Sequence, residues 1–208
     1  MRRILPACVS ALALVATTIA LTATSTAAPD PIFECDGHYK DRTFKHVRVA
    51  EGDTCVLRDS TVTGNFMARN PRTVKILDTE VRRNIMIRGA THDVVIGNAG
   101  CHFDPPAGNN IKVTNSHNVA ICWMTVKNNV MVRGNDGRIT LMHNTVGRNI
   151  DVSRNPAYDP DPRDATNHKF PGAIRIKHNT AGGHIKLFKN DRKHLFGLKT
   201  NTPTPEVK

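Results

Sequence analysis

Two sets of side chains in this chain have the types and spacing for chemistry. The first is Trp123, His143 and His178, preceded by Asp59 and Asp78. Two imidazoles brought close together can hold a metal or move a proton. Two carboxylates at a suitable separation can serve glycoside chemistry. The second set is Arg69, Arg88 and Arg133, each preceded two residues earlier by Met67, Met86 or Met131. Arginines repeated at a fixed interval can meet carboxylates or phosphates along a polymer. Both sets are scattered in sequence, so a repeating element must bring them together.

That element is an internal repeat. The stretch VKILDTEVRRNIMIRG from Val74 returns as ITLMHNTVGRNIDVSRN from Ile139 and as IRIKHNTAGGHIKLFKN from Ile174. Weaker copies begin at Cys55, Val94 and Val119. Each copy carries one pair of alternating apolar residues, such as Val74 and Ile76, and a second pair about ten residues later, such as Ile85 and Ile87. A single apolar residue lies between the pairs: Val62, Val81, Val126, Val146 or Ala181. An asparagine precedes most second pairs: Asn65, Asn84, Asn110, Asn129 and Asn149, with His184 in the last copy. The minimal period is 19 or 20 residues.

Three residues of period-two alternation make a very short strand with one face buried. Such strands persist only when neighbours stack on both sides, as successive coils of a solenoid do. The expected fold is all-β: a single-stranded right-handed parallel β-helix of about six short coils. The middle apolar residue implies a weaker third side and a roughly triangular section. The Asn column sits at a corner, where its amides can bond locally or up the stack.

Residues 1–28 read as a secretory signal peptide: Arg2 and Arg3, an apolar run from Ala11 to Leu21, then small residues to Ala28. Residues 29–200 form the β-helix domain, with 29–43 as one cap and HLFGL (194–198) as the other. The last eight residues, NTPTPEVK, read as a disordered tail. Two long insertions, 98–110 and 155–172, project from the coils. The exported chain has four cysteines, and the repeat register pairs Cys35 with Cys55 and Cys101 with Cys122. A zinc site is the alternative, without a CxxC pair to support it.

The formal charge of the full chain is +11, and removal of Arg2 and Arg3 leaves +9, spread through the domain. Export and this charge favour an anionic polysaccharide or cell-envelope polymer over nucleic acid. The expected product is a secreted or extracytoplasmic monomer with no transmembrane segment in its mature part. It needs no metal and no cofactor.

In the repeat register the outward side chains also form columns. One runs Met67, Met86, Lys112, Met131, Asp151, Lys186, and its neighbour runs Arg69, Arg88, Thr114, Arg133, Ser153, Phe188. A third, on another side, runs Asp59, Asp78, Asn98, Trp123, His143, His178. There Trp123 could stack on a sugar ring. No GxSxG elbow, Walker loop, Rossmann fingerprint or HExxH motif occurs.

Through the repeated xVxVxxN pattern, residues 44 to 198 resemble the right-handed parallel β-helix families. The likeness is to small secreted actinobacterial β-helix proteins and, at the level of fold, to the pectate-lyase-like superfamily. Large members of that superfamily act on acidic glycans in clefts lined by acidic groups or calcium carboxylates with a basic residue. The resemblance implies a fold and leaves the activity open. The residues favour a non-catalytic exported scaffold that binds an anionic polysaccharide through Arg69, Arg88 and Arg133, with Met67, Met86 and Met131, and with Trp123 on the other side. The alternative is a polysaccharide-active lyase or hydrolase using Asp59, Asp78, His143 or His178.

Overall fold

Alternating apolar pairs bury one side of each short strand, and the buried sides must then face one another. In the computed structural model they do so as a three-sided parallel β-helix. The structure describes residues 32–97, 107–156, 173–190 and 195–207. Among them, the long face carries nine parallel strands in the order Ile32–Glu34, His46–Val49, Phe66–Arg69, Glu80–Arg88, Ala107–Thr114, Val130–Arg133, Ile150–Ser153, Ile185–Phe188 and Glu206–Val207. The second face carries eight: His38–Lys40, Thr54–Arg58, Thr73–Leu77, Asp93–Gly97, Asn118–Cys122, Ile139–Met142, Ile174–Lys177 and Leu195–Phe196. Two-residue strands such as Thr61–Val62, Thr125–Val126 and Thr145–Val146 make the narrow third side.

Like residues stack on like. On the second face Val74, Val94, Val119, Ile139 and Ile174 are successive register partners. On the long face Ile85, Ile111, Val130, Ile150 and Ile185 are. All of these are buried. On the narrow side the coil with the first insertion places Gly108 between Val81 and Val126. The buried Met124 reaches toward the space that this glycine leaves, with its terminal methyl 3.8 Å from where a Cβ would sit.

The expected Asn corner is a hydrogen-bonded ladder. Asn84 donates from its backbone and its amide to Asn65 Oδ1, at 3.2 and 3.3 Å. Asn110, Asn129 and Asn149 continue the ladder, and the His184 backbone N–H ends it on Asn149 Oδ1. Two further ladders, which the repeat pattern does not predict, run inside the coils. Asn144, Asn179 and Asn201 form one, with amide contacts of 2.8 and 2.9 Å. Each also donates to a core-strand carbonyl: Ile121, Leu141 and Ile176 respectively. Ser116, Asn135, Asn155 and Asn190 form the other. The residues just before most of these inward side chains, including His143, His178, Asn115 and Arg154, have positive φ. That left-handed corner turns the next side chain inward, and the ladder satisfies backbone groups that a turn leaves unpaired.

Both ends differ from the sequence expectation. The segment read as an N-terminal cap supplies strands in register, closed by an aromatic cluster in which Phe33 and Phe44 have centroids 4.5 Å apart. The expected Cys35–Cys55 disulfide is formed, with both cysteines buried. At the other end, residues 201–207 are not a disordered tail. Asn201 is the last rung of a buried ladder, Thr202 bridges Thr180, and Glu206–Val207 pairs with Lys186 and Leu187. The segment is Pro-rich and polar, yet it lies on the open edge of the last coil, where proline's missing N–H costs nothing. The chain thus extends the coils counted from the repeat by a partial one at each end. Residues 1–28, read as a signal peptide, Cys101, Asn98 and most of both long insertions lie outside the described residues. Gly97 does oppose Cys122 as expected.

Asn179→Ala strands the Asn144 backbone N–H and removes the donor to Leu141. It is expected to cost about 2–3 kcal/mol, whereas Asn149→Ala on the outer corner costs about 1 kcal/mol or less. Chemical denaturation of the two variants checks this, and equal losses would contradict a special role for the buried ladder.

Candidate ligand-binding face

On the long face, alternation that buries Phe66 and Ala68, Ile85 and Ile87, and Ile111 and Val113 sends the residues between and after them outward. The first outward column is Glu34, Arg48, Met67, Met86, Lys112, Met131, Asp151, Lys186 and Glu206, in consecutive register. The second is Arg69, Arg88, Thr114, Arg133, Ser153 and Phe188. Both agree with the columns read from the sequence.

A groove of about 850 Å³ lies over the N-terminal half of this face. Met67, Met86, Arg69, Arg88, Lys112 and Thr114 line it, and Glu34, Arg48 and Glu51 close its far end. Met86 is 39% exposed, high for a large apolar side chain. The groove therefore unites four of the seven expected binding residues. Met131 and Arg133 lie outside it, and Trp123 is on a different side of the coil.

The charges on this face are unevenly matched. Arg48 Nε donates to Glu34 at 2.7 Å. His184 Nδ1 is 2.9 Å from Glu206. Arg133 donates from Nη2 to Asp151 at 2.8 Å and from Nε to Ser153 at 3.1 Å. The sequence places Arg133 among the binding arginines, but a carboxylate one coil above already neutralises it. Asp151 Oδ1 is buried without a partner among the described residues, so that carboxylate depends on Arg133. Arg69 and Arg88 are exposed register partners with no carboxylate partner among the described residues.

The other expected set lies at the corner after the second face. Trp123, His143 and His178 share φ values of 57, 56 and 53°. Identical backbone geometry on stacked coils makes their rings stack. Trp123 and His143 have centroids 4.2 Å apart at 11°, and His143 and His178 are 4.7 Å apart at 13°. One face of Trp123 is therefore covered by imidazole and is not open to a sugar ring. Burial, and then the charge of His178, hold the His143 pKa below its ordinary value.

Asp59 and Asp78 occupy the same kind of corner, with φ of 48° each, and their backbone N–H groups donate to Leu77 and Gly97. Lys40 lies 3.7 Å from Asp59. The register puts Asp78 three coil steps from His143, about 14 Å along the stack at one strand spacing per coil. The carboxylates and the imidazoles do not form one constellation. Among the described residues, no three His, Cys, Asp or Glu side chains cluster as a metal would require. No helix in this part of the chain is long and apolar enough to cross a membrane.

The chain matches no family model, no curated protein and no solved structure at a significant level.

A lowered histidine pKa makes folding favour the neutral ring. Stability from this site is full above the unfolded pKa of about 6.5 and falls as pH drops below it toward the folded value. Melting temperature across that window is expected to fall more steeply in the wild type than in His143→Asn. Identical slopes would contradict a lowered His143 pKa.

Proposed function

We propose that the protein is a non-catalytic exported scaffold that binds an anionic envelope or extracellular polysaccharide in the groove formed by Met67, Met86, Arg69 and Arg88. The observation that carries this reading is the unmatched arginine pair. On the same face Arg133 has its counter-charge in Asp151, and Arg69 and Arg88 have none among the described residues. Like charges directly opposite one another on neighbouring strands are destabilising. An anionic ligand removes that cost on binding. The thioethers beside the arginines give a pliable apolar floor for the carbon skeleton of the ligand.

The Cys35–Cys55 bond is compatible with an oxidising, extracytoplasmic compartment. The strong basic excess suits capture of an anionic polymer. A polysaccharide-active enzyme draws no support from the groove. Glu34 and Glu51 are the carboxylates lining the groove, and Glu34 is bonded to Arg48, which leaves Glu51 without the second free carboxylate that glycoside hydrolysis uses. Asp59 and Asp78 are at corners of the coil away from the groove.

Retention on an immobilised acidic polysaccharide is expected to fall with added salt and to be lost in Arg69→Ala/Arg88→Ala. Arg133→Ala is expected to retain binding and to lose about 1 kcal/mol of stability through the orphaned Asp151. Unchanged retention in the double variant rules out this face.

A further inference from the structure

Successive coils of this face carry Arg48, Arg69, Arg88, Lys112 and Arg133 in turn, but Arg48 and Arg133 are held by Glu34 and Asp151. Arg69 and Arg88 are adjacent in their column, but the next position is Thr114. On the other side, Val49 pairs with Ala68, so the neighbour of Arg69 is Ala50. Arg133 resumes the cationic column only after Thr114, and it is occupied by Asp151 and Ser153. Lys112, two residues before Thr114, is a further groove cation near the pair.

A chain bearing one carboxylate on every sugar would be matched by an uncommitted cation on every coil. This face offers three without a carboxylate partner among the described residues, Arg69, Arg88 and Lys112, and the coil on either side carries an arginine already bound to Glu34 or Asp151. Two guanidiniums about 4.8 Å apart at the backbone suit one compact anion with several oxygens and more than one charge. A phosphate monoester carries about −1.5 to −2 at neutral pH and three strong acceptor oxygens. Arginine's planar fork matches that geometry, Lys112 adds a point charge, and Thr114 adds a hydroxyl donor. Met67 and Met86, in the adjacent column, lie where the carbon skeleton attached to the phosphate would rest.

We infer that the groove is a phosphoryl-group site, taking a phosphomonoester carried on a sugar or polyol unit of an envelope polymer. This rests on the reading of the groove as an anion-binding site and narrows it. The site uses no covalent step and holds the ester by hydrogen bonds and charge.

Calorimetric titration with inorganic phosphate, glucose 6-phosphate, glucuronate, polygalacturonate and vesicles containing phosphatidic acid tests it. Glucose 6-phosphate is expected to bind at least about tenfold more tightly than glucuronate, and Arg69→Gln or Arg88→Gln to weaken it by about tenfold or more. Met67→Ser/Met86→Ser is expected to weaken glucose 6-phosphate and leave inorganic phosphate unchanged. Arg148→Gln, an exposed change outside the groove, is expected to alter neither. Melting curves of each variant confirm folding. Equal or tighter binding of glucuronate or polygalacturonate overturns the phosphoryl assignment and leaves the polysaccharide reading standing. Inorganic phosphate binding as tightly as glucose 6-phosphate overturns the organic ester. Binding to the vesicles without binding to glucose 6-phosphate overturns a sugar-borne source in favour of a lipid. No binding to any probe overturns both readings.

Discussion

Each coil of this protein must hand its backbone hydrogen bonds to the next coil in register. Everything else follows from that requirement. A strand of four residues cannot stand alone, so its neighbours must repeat its pattern of buried and outward side chains. The repeat keeps Val, Ile and Leu stacked inside. It equally fixes what is stacked outside. Met67 sits on Met86, Arg69 on Arg88, and His143 on His178 because the backbone beneath them is superimposed. Function, on such a scaffold, is a matter of which outward neighbours the sequence leaves unsatisfied.

Most outward contacts described above are resolved internally. Arg48 meets Glu34, Arg133 meets Asp151, and His184 meets Glu206. The corner asparagines bond to one another up the stack. The aromatic corner fills itself with stacked rings, which leaves Trp123 with one face covered. Against this background the Arg69–Arg88 pair stands out physically: two like charges in register, exposed, beside a groove with an apolar floor. Self-repulsion at that point is a cost that a bound anion would offset.

The columns are legible in the sequence because period-two alternation separates inside from outside, and a constant repeat length aligns one coil with the next. That places Met67, Met86, Arg69, Arg88, His143 and His178 correctly on their neighbours. The interior asparagine ladders are not legible. Asn144 and Asn179 follow left-handed corner residues, which reverse the expected alternation, so a buried amide resembles an ordinary turn residue. The pairing of Arg133 is hidden for another reason. Its partner Asp151 is a diagonal neighbour in the adjacent column, and reading straight up a column misses it. The C-terminal residues mislead through composition. Two prolines among polar residues outweigh one asparagine in phase with Asn179 and one apolar residue, Val207, that packs against the core.

The most direct measurement is a crystal structure grown with a phosphorylated sugar and an acidic oligosaccharide together. The account predicts ligand density in the groove, with anionic oxygens bridging Arg69 and Arg88 and carbon atoms over Met67 and Met86. An empty groove, with density instead at the corner of Asp78, Trp123 and His143, would contradict it.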